Sequence, residues 1–321
     1  MNKKSIFLAV LASAMLAACS NDSERNGRAD DRLLRLSTGS IDVATRTASM
    51  DLLKEQFDNG DEIDIFLTDA NDKETAEGAV TYTQPMVYTA DGSGNLTYPT
   101  PVYWPPYFRH LYVWGVYPKG KAGTDADATG VEFSVQQDQS TDAAYKASDL
   151  MTGVATTNPW VQTDNLTGNT ITLQFTHLLS KVKVNLSKTA ATTDITDAML
   201  ATAQIYIMST LPTTKFAPKS TVVNKTDASG TAFTGGIYVC EGTEGSCIVV
   251  PQDMTAGDDF IKVVVGGDTF VYKVPAGGYS FEPQKQHVLN IQIHKANIIL
   301  TSSITAWDTT TPDTNGTAIL Q

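Results

Sequence analysis

Histidines, cysteines and arginines carry most of the reactive chemistry open to this chain, and their spacing decides what each can do. His110, His177, His287 and His294 form no HExxH or other clustered ligand pattern, so each reads as a strand residue at the surface or at a domain seam. Residues 125–130, DADATG, match the first half of a calcium loop. Its last ligand position falls on Gln136, where a bidentate glutamate is needed, so the stretch reads as a polar loop. There is no G-x-S-x-G, P-loop or dinucleotide fingerprint, and the acidic run DNGDEID reads as a turn and a strand entry. Nothing sets two carboxylates apart for acid–base work. No catalytic, cofactor-binding or metal-ligating residue is assigned, no cofactor is implied, and the chain does not read as an enzyme.

The cysteines divide by place. Cys240 and Cys247 flank residues 241–246, EGTEGS, a turn-rich tip between GIYV and IVV. They could face each other across a hairpin, and a disulfide closing so short a loop would contribute about 2–3 kcal/mol. Two free thiols are the alternative, and a metal site is disfavoured because no histidine or third cysteine sits nearby. Cys19 ends a different kind of segment. Lys3 and Lys4 precede an apolar run over residues 6–18, too short to span a bilayer and of the length of a signal-peptide core. The ending Leu16-Ala17-Ala18-Cys19 resembles a bacterial lipobox. Residues 1–18 then read as a signal peptide, and a diacylglycerol on Cys19 would anchor the chain to a membrane without spanning it.

Arginine is unevenly spread. Arg25, Arg28, Arg32, Arg35 and Arg46 precede Thr47, and Arg109 alone follows it. The acidic residues Asp22, Glu24, Asp30, Asp31 and Asp42 cancel the leader's positive charge, so attraction to anionic headgroups does not explain the run. The distribution suits a chain handled by an arginine-specific protease, cuttable in its leader and nearly uncuttable in its body. Arg46 follows residues 33–43, LLRLSTGSIDV, a broken apolar alternation whose phase changes near Gly39 as at a bulge.

The elements that would position these residues are strands. The 321 residues suit two domains, 41% are apolar, and threonine recurs beside valine, isoleucine and tyrosine. Short segments including EIDIFLT, AVTYT, LYVWGVYP, DLMTGVA, HLLSKVKVNL, STVVN, GGIYVC, CIVVP, FIKVVVGG and HVLNIQIH alternate in period two between turn signals, which predicts an all-β fold of sandwiches. DITDAMLATA predicts one or two helical turns, and SMDLLKEQFDNGD a short helix. Residues 20–32 read as a tether, and the boundary between the domains is placed near Asn169. A net charge of −12 and no basic patch exclude a duplex nucleic acid partner. In the aromatic stretch VYWPPYFRHLYVWGVY, Trp104, Tyr107 or Trp114 could stack on sugars or a protein partner. The simpler reading is the two faces of a core strand.

With Cys19, the segments LYVWGVYP (residues 111–118), SDLMTGVA (148–155), LQFTHLLSKVKVNL (173–186) and HVLNIQIHKANIILTSSITAW (287–307) resemble the fimbrillin family of Bacteroidales, subunits of lipoprotein-derived (type V) pili. The resemblance spans nearly the whole chain. It implies tandem transthyretin-like β-sandwich domains, at 47–169 and 170–321, after a lipidated leader at 19–46 that carries a removable first strand. It also implies a life cycle: export to the outer membrane and cell surface, cleavage between Arg46 and Thr47 by an arginine-specific protease, and polymerisation by strand exchange. The implied donor is the tail at about 297–321, with Ile298, Leu300, Ile304 and Ile319 entering a groove of another subunit. The implied partners are other pilin subunits, outer-membrane lipid through acylated Cys19, and a host glycan or protein. A tip or anchor subunit, or a glycan-binding lipoprotein that keeps its lipid, is the competing expectation.

Overall fold

The computed structural model describes residues 33–39, 57–69, 85–103, 110–125, 127–157, 160–161, 170–294, 297–306 and 318–319. The first part of the chain supplies β1 (Arg35–Thr38), β2 (Glu62–Asp69), β3 (Met86–Ala90), β4 (Asn95–Thr97), β5 (His110–Tyr117), β6 (Val131–Ser134), α1 (Asp142–Ser148), β7 (Met151–Ala155), β8 (Trp160–Val161) and β9 (Thr170–His177). The second supplies β10 (Ser180–Lys188), α2 (Asp197–Leu200), β11 (Gln204–Ile207), β12 (Thr213–Phe216), β13 (Ile237–Glu241), β14 (Glu244–Val249) and β15 (Gln252–Met254). It continues with β16 (Asp259–Val265), β17 (Asp268–Lys273), β18 (Tyr279–Phe281), β19 (Lys285–His294), β20 (Asn297–Ala306) and β21 (Ala318–Ile319).

The first sheet runs β2-β3-β4-β1-β9-β7-β5-β8, and β2 also pairs with β5. Those pairings close a circuit of strands with β8 hung on its outside. The circuit encloses one core, in which Leu36, Ile63, Ile65, Tyr88, Val113, Met151, Ile171 and Phe175 are buried. Strand patterns explain the burial. In β9 alternate residues are buried, as period two requires of a sheet with one covered face. β9 follows the boundary expected near Asn169, yet it hydrogen-bonds within this first sheet.

A second core joins Phe66, Trp114 and Val116, on the other face of β2 and β5, to Tyr145, Leu150 and the strands after His177. It lies among a five-stranded sheet, β14-β10-β19-β20-β21, and a four-stranded sheet, β13-β11-β16-β17. The strand β12, too polar to be read from the sequence, pairs with β6 and ties the later half to the earlier. The expected strand at STVVN (residues 220–224) does not form. Val222 is exposed, and Ser220 hydrogen-bonds to its backbone instead, so no ladder partner supports the segment. The two short helices are capped by threonine: Thr141 Oγ1 accepts from Ala144 N–H at 3.3 Å, and Thr196 Oγ1 from Met199 N–H at 3.2 Å. Most of the stretch SMDLLKEQFDNGD lies outside the described residues, as does AVTYT.

Candidate functional site

The site of interest is the seat of β1. Leu34, Leu36 and Thr38 face inward and are buried, while Arg35 is exposed and Ser37 half-buried. Both backbone edges are used. On one side β1 runs antiparallel to β4, with Leu36 opposite Leu96, and on the other it runs parallel to β9, with Leu36 opposite Ile171. Leu34 N–H donates to Val102 O at 2.8 Å and Thr38 N–H to Gly94 O at 2.8 Å. The hydroxyls of Ser37 and Thr172 meet at 3.1 Å. Gly39 closes the strand against β9, where a Cβ would lie 2.7 Å from Thr172 Cγ2. A cavity of about 400 Å³ opens along β1, walled by Leu34, Leu36, Tyr88, Leu96, Tyr98 and Val102.

Burying Leu34 and Leu36 stabilises this arrangement by about 3–6 kcal/mol, at 1.5–3 for each side chain. That is comparable to the net stability of a whole domain. β1 is therefore a short strand on which the closed circuit depends.

The tail is placed differently. β20 pairs along its whole length with β19, from His294 opposite Asn297 to Lys285 opposite Ala306. Ile298 and Leu300 are buried in the chain's own second core, Ile304 is half-buried, and Ile299 on the opposite face is exposed. β21 adds an antiparallel pairing of Ile319 with Thr301. Cys19, Arg46, Thr47, Trp104, Tyr107 and Trp307 lie outside the described residues, as do Ile41 and Val43.

Residues 45–307 match the family described as Fimbrillin-like. The chain belongs to the fimbrillin-like family. A relative from Bacteroides uniformis, named "Putative fimbrium subunit Fim1C", is 28% identical, with 98% of each chain covered. Among solved structures, one of a "putative cell adhesion protein" from Bacteroides ovatus superposes with a TM-score of 0.61 at 15% identity, covering 86% of this chain and 98% of that one. Another, of a "putative cell adhesion protein" from Bacteroides uniformis, gives a TM-score of 0.57 at 20% identity, covering 87% and 99%. These likenesses establish the fold, mostly β with several sheets. The family is one of fimbrial structural subunits and not of enzymes, which implies other pilin subunits as partners and a cell-surface fimbrium as the place of action.

The segments that carried the family resemblance meet in space. Gly115 of β5 pairs with Gly153 of β7, which pairs with Phe175 of β9, and the Phe175 ring covers both glycines. Two residues along β9 from Phe175, His177 Nδ1 lies 2.7 Å from Asp149 Oδ1, with both side chains fully buried. His177 is thus a core residue and not the surface or seam residue expected. His287 is likewise fully buried. Its Nε2 accepts from Glu282 N–H at 3.3 Å and its Nδ1 lies 2.9 Å from Tyr279 Oη, a geometry for neutral imidazole. Burial depresses its pKa to about 4, against the opposing pull of the Glu282 carboxylate. Sequence reading missed these buried histidines because an isolated histidine in a strand does not announce which face it occupies.

Other expected features resolve as follows. Cys240 and Cys247 are buried free thiols with no bond between them. They do not face each other across one ladder as expected: Cys240 on β13 pairs with Ile205, and Cys247 on β14 with Val182, in two different sheets. Burial pushes the Cys240 thiol up to about 11 and the Cys247 thiol higher still. In DADATG, Asp125 Oδ1 accepts from Asp127 N–H and Lys219 pairs with Asp127, as in a polar turn. Among the described residues no group of His, Cys, Asp or Glu could hold a metal ion. Trp114 is buried, stacked on Tyr112 at 5.4 Å and covered by Lys219 Nζ at 4.1 Å, so that it packs as a core strand residue.

Proposed function

We propose that this fimbrial subunit is a polymerising pilin whose first strand is a temporary closure. The chain is exported as a lipoprotein acylated at Cys19 and held on the outer membrane. An arginine-specific protease cuts between Arg46 and Thr47, and lipid, leader and β1 leave together. The seat between β4 and β9 then exposes an apolar trough and unpaired backbone groups, both costly in water. A strand from the C-terminal tail of another subunit restores both at once, its main chain giving affinity and its alternate side chains register. Repeated head to tail, a contact that does not close on itself makes a filament.

The observation that carries this reading is the place of β1: an interior strand of the sheet, supplied by residues upstream of the candidate cleavage site. The donor is the tail from about residue 297 onward. Ile298 and Leu300 have a seat in their own core, so the first donor contact falls to Ile319, with Ile304 next to follow. The two buried cores support two β-sandwich domains of transthyretin-like kind, with β9 as the last strand of the first.

The test is the N-terminal sequence and intact mass of the protein taken from the cell surface. A chain beginning at Thr47 without lipid is the expected result. A chain beginning at acylated Cys19 would overturn the polymerising reading and leave a standing membrane-anchored subunit.

A further inference from the structure

The sheet β13-β11-β16-β17 turns one face to the second core and the other outward. On the outer face Tyr238, Tyr206, Lys262 and Val271 form a row across the sheet, because Tyr206 pairs with Tyr238 and with Lys262, and Lys262 pairs with Val271. The two tyrosine rings lie 5.1 Å apart, tilted by 33°, and are only half-buried. Lys262 Nζ sits 3.8 Å from the centre of the Tyr206 ring and donates to Gly235 O at 3.1 Å. Val271 at the end of the row is 42% exposed.

A wall rises beside this row. Asp138 bridges to Tyr238, with Gln139 N–H donating to Tyr238 O and Tyr238 N–H to Gln137 O. The Gln137 amide nitrogen donates to Thr234 O at 2.8 Å and to Gly236 O at 3.3 Å, fixing the opposite lip. Gly236 has φ 84° and its missing Cβ would lie 2.6 Å from Ile207 O, so only glycine makes this turn. Between the walls is a pocket of about 300 Å³ lined by Gln137, Asp138, Tyr206, Thr234, Tyr238 and Lys262. The Asp138 carboxylate at its rim accepts from Ser140 N–H and Oγ and is exposed.

We propose that this pocket is a carbohydrate site that takes one pyranose unit of a surface glycan. A pyranose presents a patch of C–H bonds on one face and hydroxyls around its rim. The Tyr238 ring, beside a Tyr206 ring that Lys262 covers, offers the flat, amphipathic surface that such a patch stacks on. Asp138 accepts hydroxyl hydrogens and the Lys262 ammonium donates. A cationic ligand is disfavoured because Lys262 already covers the Tyr206 ring. The volume lies at the small end for ligand clefts and suits a single ring. Nucleic acid is excluded by the net charge of −12. The inference goes beyond subunit assembly and uses none of its steps.

The experiment applies the full exported chain, as monomer, to a printed array of neutral and sialylated oligosaccharides, and measures affinity for the best-bound glycan by titration. Tyr238→Ala should weaken binding about tenfold. Asp138→Asn, which leaves the sheet untouched, should weaken it severalfold, and thermal melting of both variants checks that they fold. No binding to any oligosaccharide by the native chain overturns the proposal. Binding unchanged in folded Tyr238→Ala and Asp138→Asn also overturns it. Neither failure touches the maturation reading, which rests on the N-terminus of the surface protein.

Discussion

The ring of Phe175 lies against the backbone of Gly153, so close that a Cβ on that glycine would sit 2.6 Å from Phe175 Cζ. Gly115, on the next strand, meets the same ring at the same distance. Two glycines in adjacent strands thus make the hollow that an aromatic from a third strand fills, and β9 is held where it can flank β1. Gly153→Ala should destabilise the chain by about 1–3 kcal/mol through overpacking, and Phe175→Ala by about 3–5 kcal/mol through the cavity it leaves. Urea unfolding of each variant checks the order. Equal stability of Gly153→Ala and the native chain would mean the ring is free to move aside.

Cleavage is tested at its residue. Arg46→Ala should leave the chain at the mass of the acylated leader form, and filaments should be absent from the cell surface. Filaments built from uncut Arg46→Ala chains would show that β1 need not leave.

The tail separates into two parts. A chain ending at Ala306 lacks β21 but keeps β20 paired with β19, so it should fold as a monomer with little change in stability and fail to polymerise. A chain ending at Asn297 loses Ile298 and Leu300 from its own core and should be less stable by about 3–6 kcal/mol. Circular dichroism melts and electron microscopy of the two truncations distinguish the roles. Filaments from the chain ending at Ala306 would exclude the last residues as donor.

His287 makes stability depend on pH. Its folded pKa is depressed to about 4 by burial, whereas in the unfolded chain it takes its proton near 6.5. The unfolded state therefore binds the extra proton first. The contribution is fully present above pH 6.5 and declines as pH falls towards 4, by on the order of 3 kcal/mol in all. His287→Gln should remove that part of the acid sensitivity when denaturation is compared at neutral and mildly acidic pH. An unchanged slope would mean that other groups carry it.

The thiols give a simple count. In the chain beginning at Thr47, a thiol reagent should find Cys240 and Cys247 unreactive while folded, because both are buried and Cys240 is pushed up to about 11. Both should react once the chain is unfolded. If neither reacts in denaturant without a reductant, the two are bridged in the exported protein.

Much of the architecture was legible because strand periodicity is local. The alternation of β9, β10 and β19 could be read residue by residue, and the inward face of β1 was visible in Leu34 and Leu36. What could not be read is where each strand finds its neighbours. β13 and β14 are joined by a tip of two residues, the signature of a hairpin, yet they belong to separate sheets, and this overturned the expected facing of the cysteines. β12 was missed because Thr213, Thr214 and Lys215 carry no apolar alternation, and its pairing with β6 is decided by partners 79 to 85 residues away. The tyrosine row on the outer sheet was hidden for the same reason, since Tyr206, Tyr238 and Lys262 are neighbours only after three strands align.

The two flanks of β1 are unlike: β4 runs against it and β9 runs with it. A replacement strand entering that seat meets one antiparallel and one parallel edge whichever way it runs, so the direction of a joint comes from the heterologous contact of one subunit's seat with another's tail. Every joint made this way would point the same way along the fibre. Such a fibre has a beginning and an end that differ chemically, one end presenting an unfilled seat and the other an unspent tail. New subunits and terminating subunits would then be distinguished by which end they can recognise.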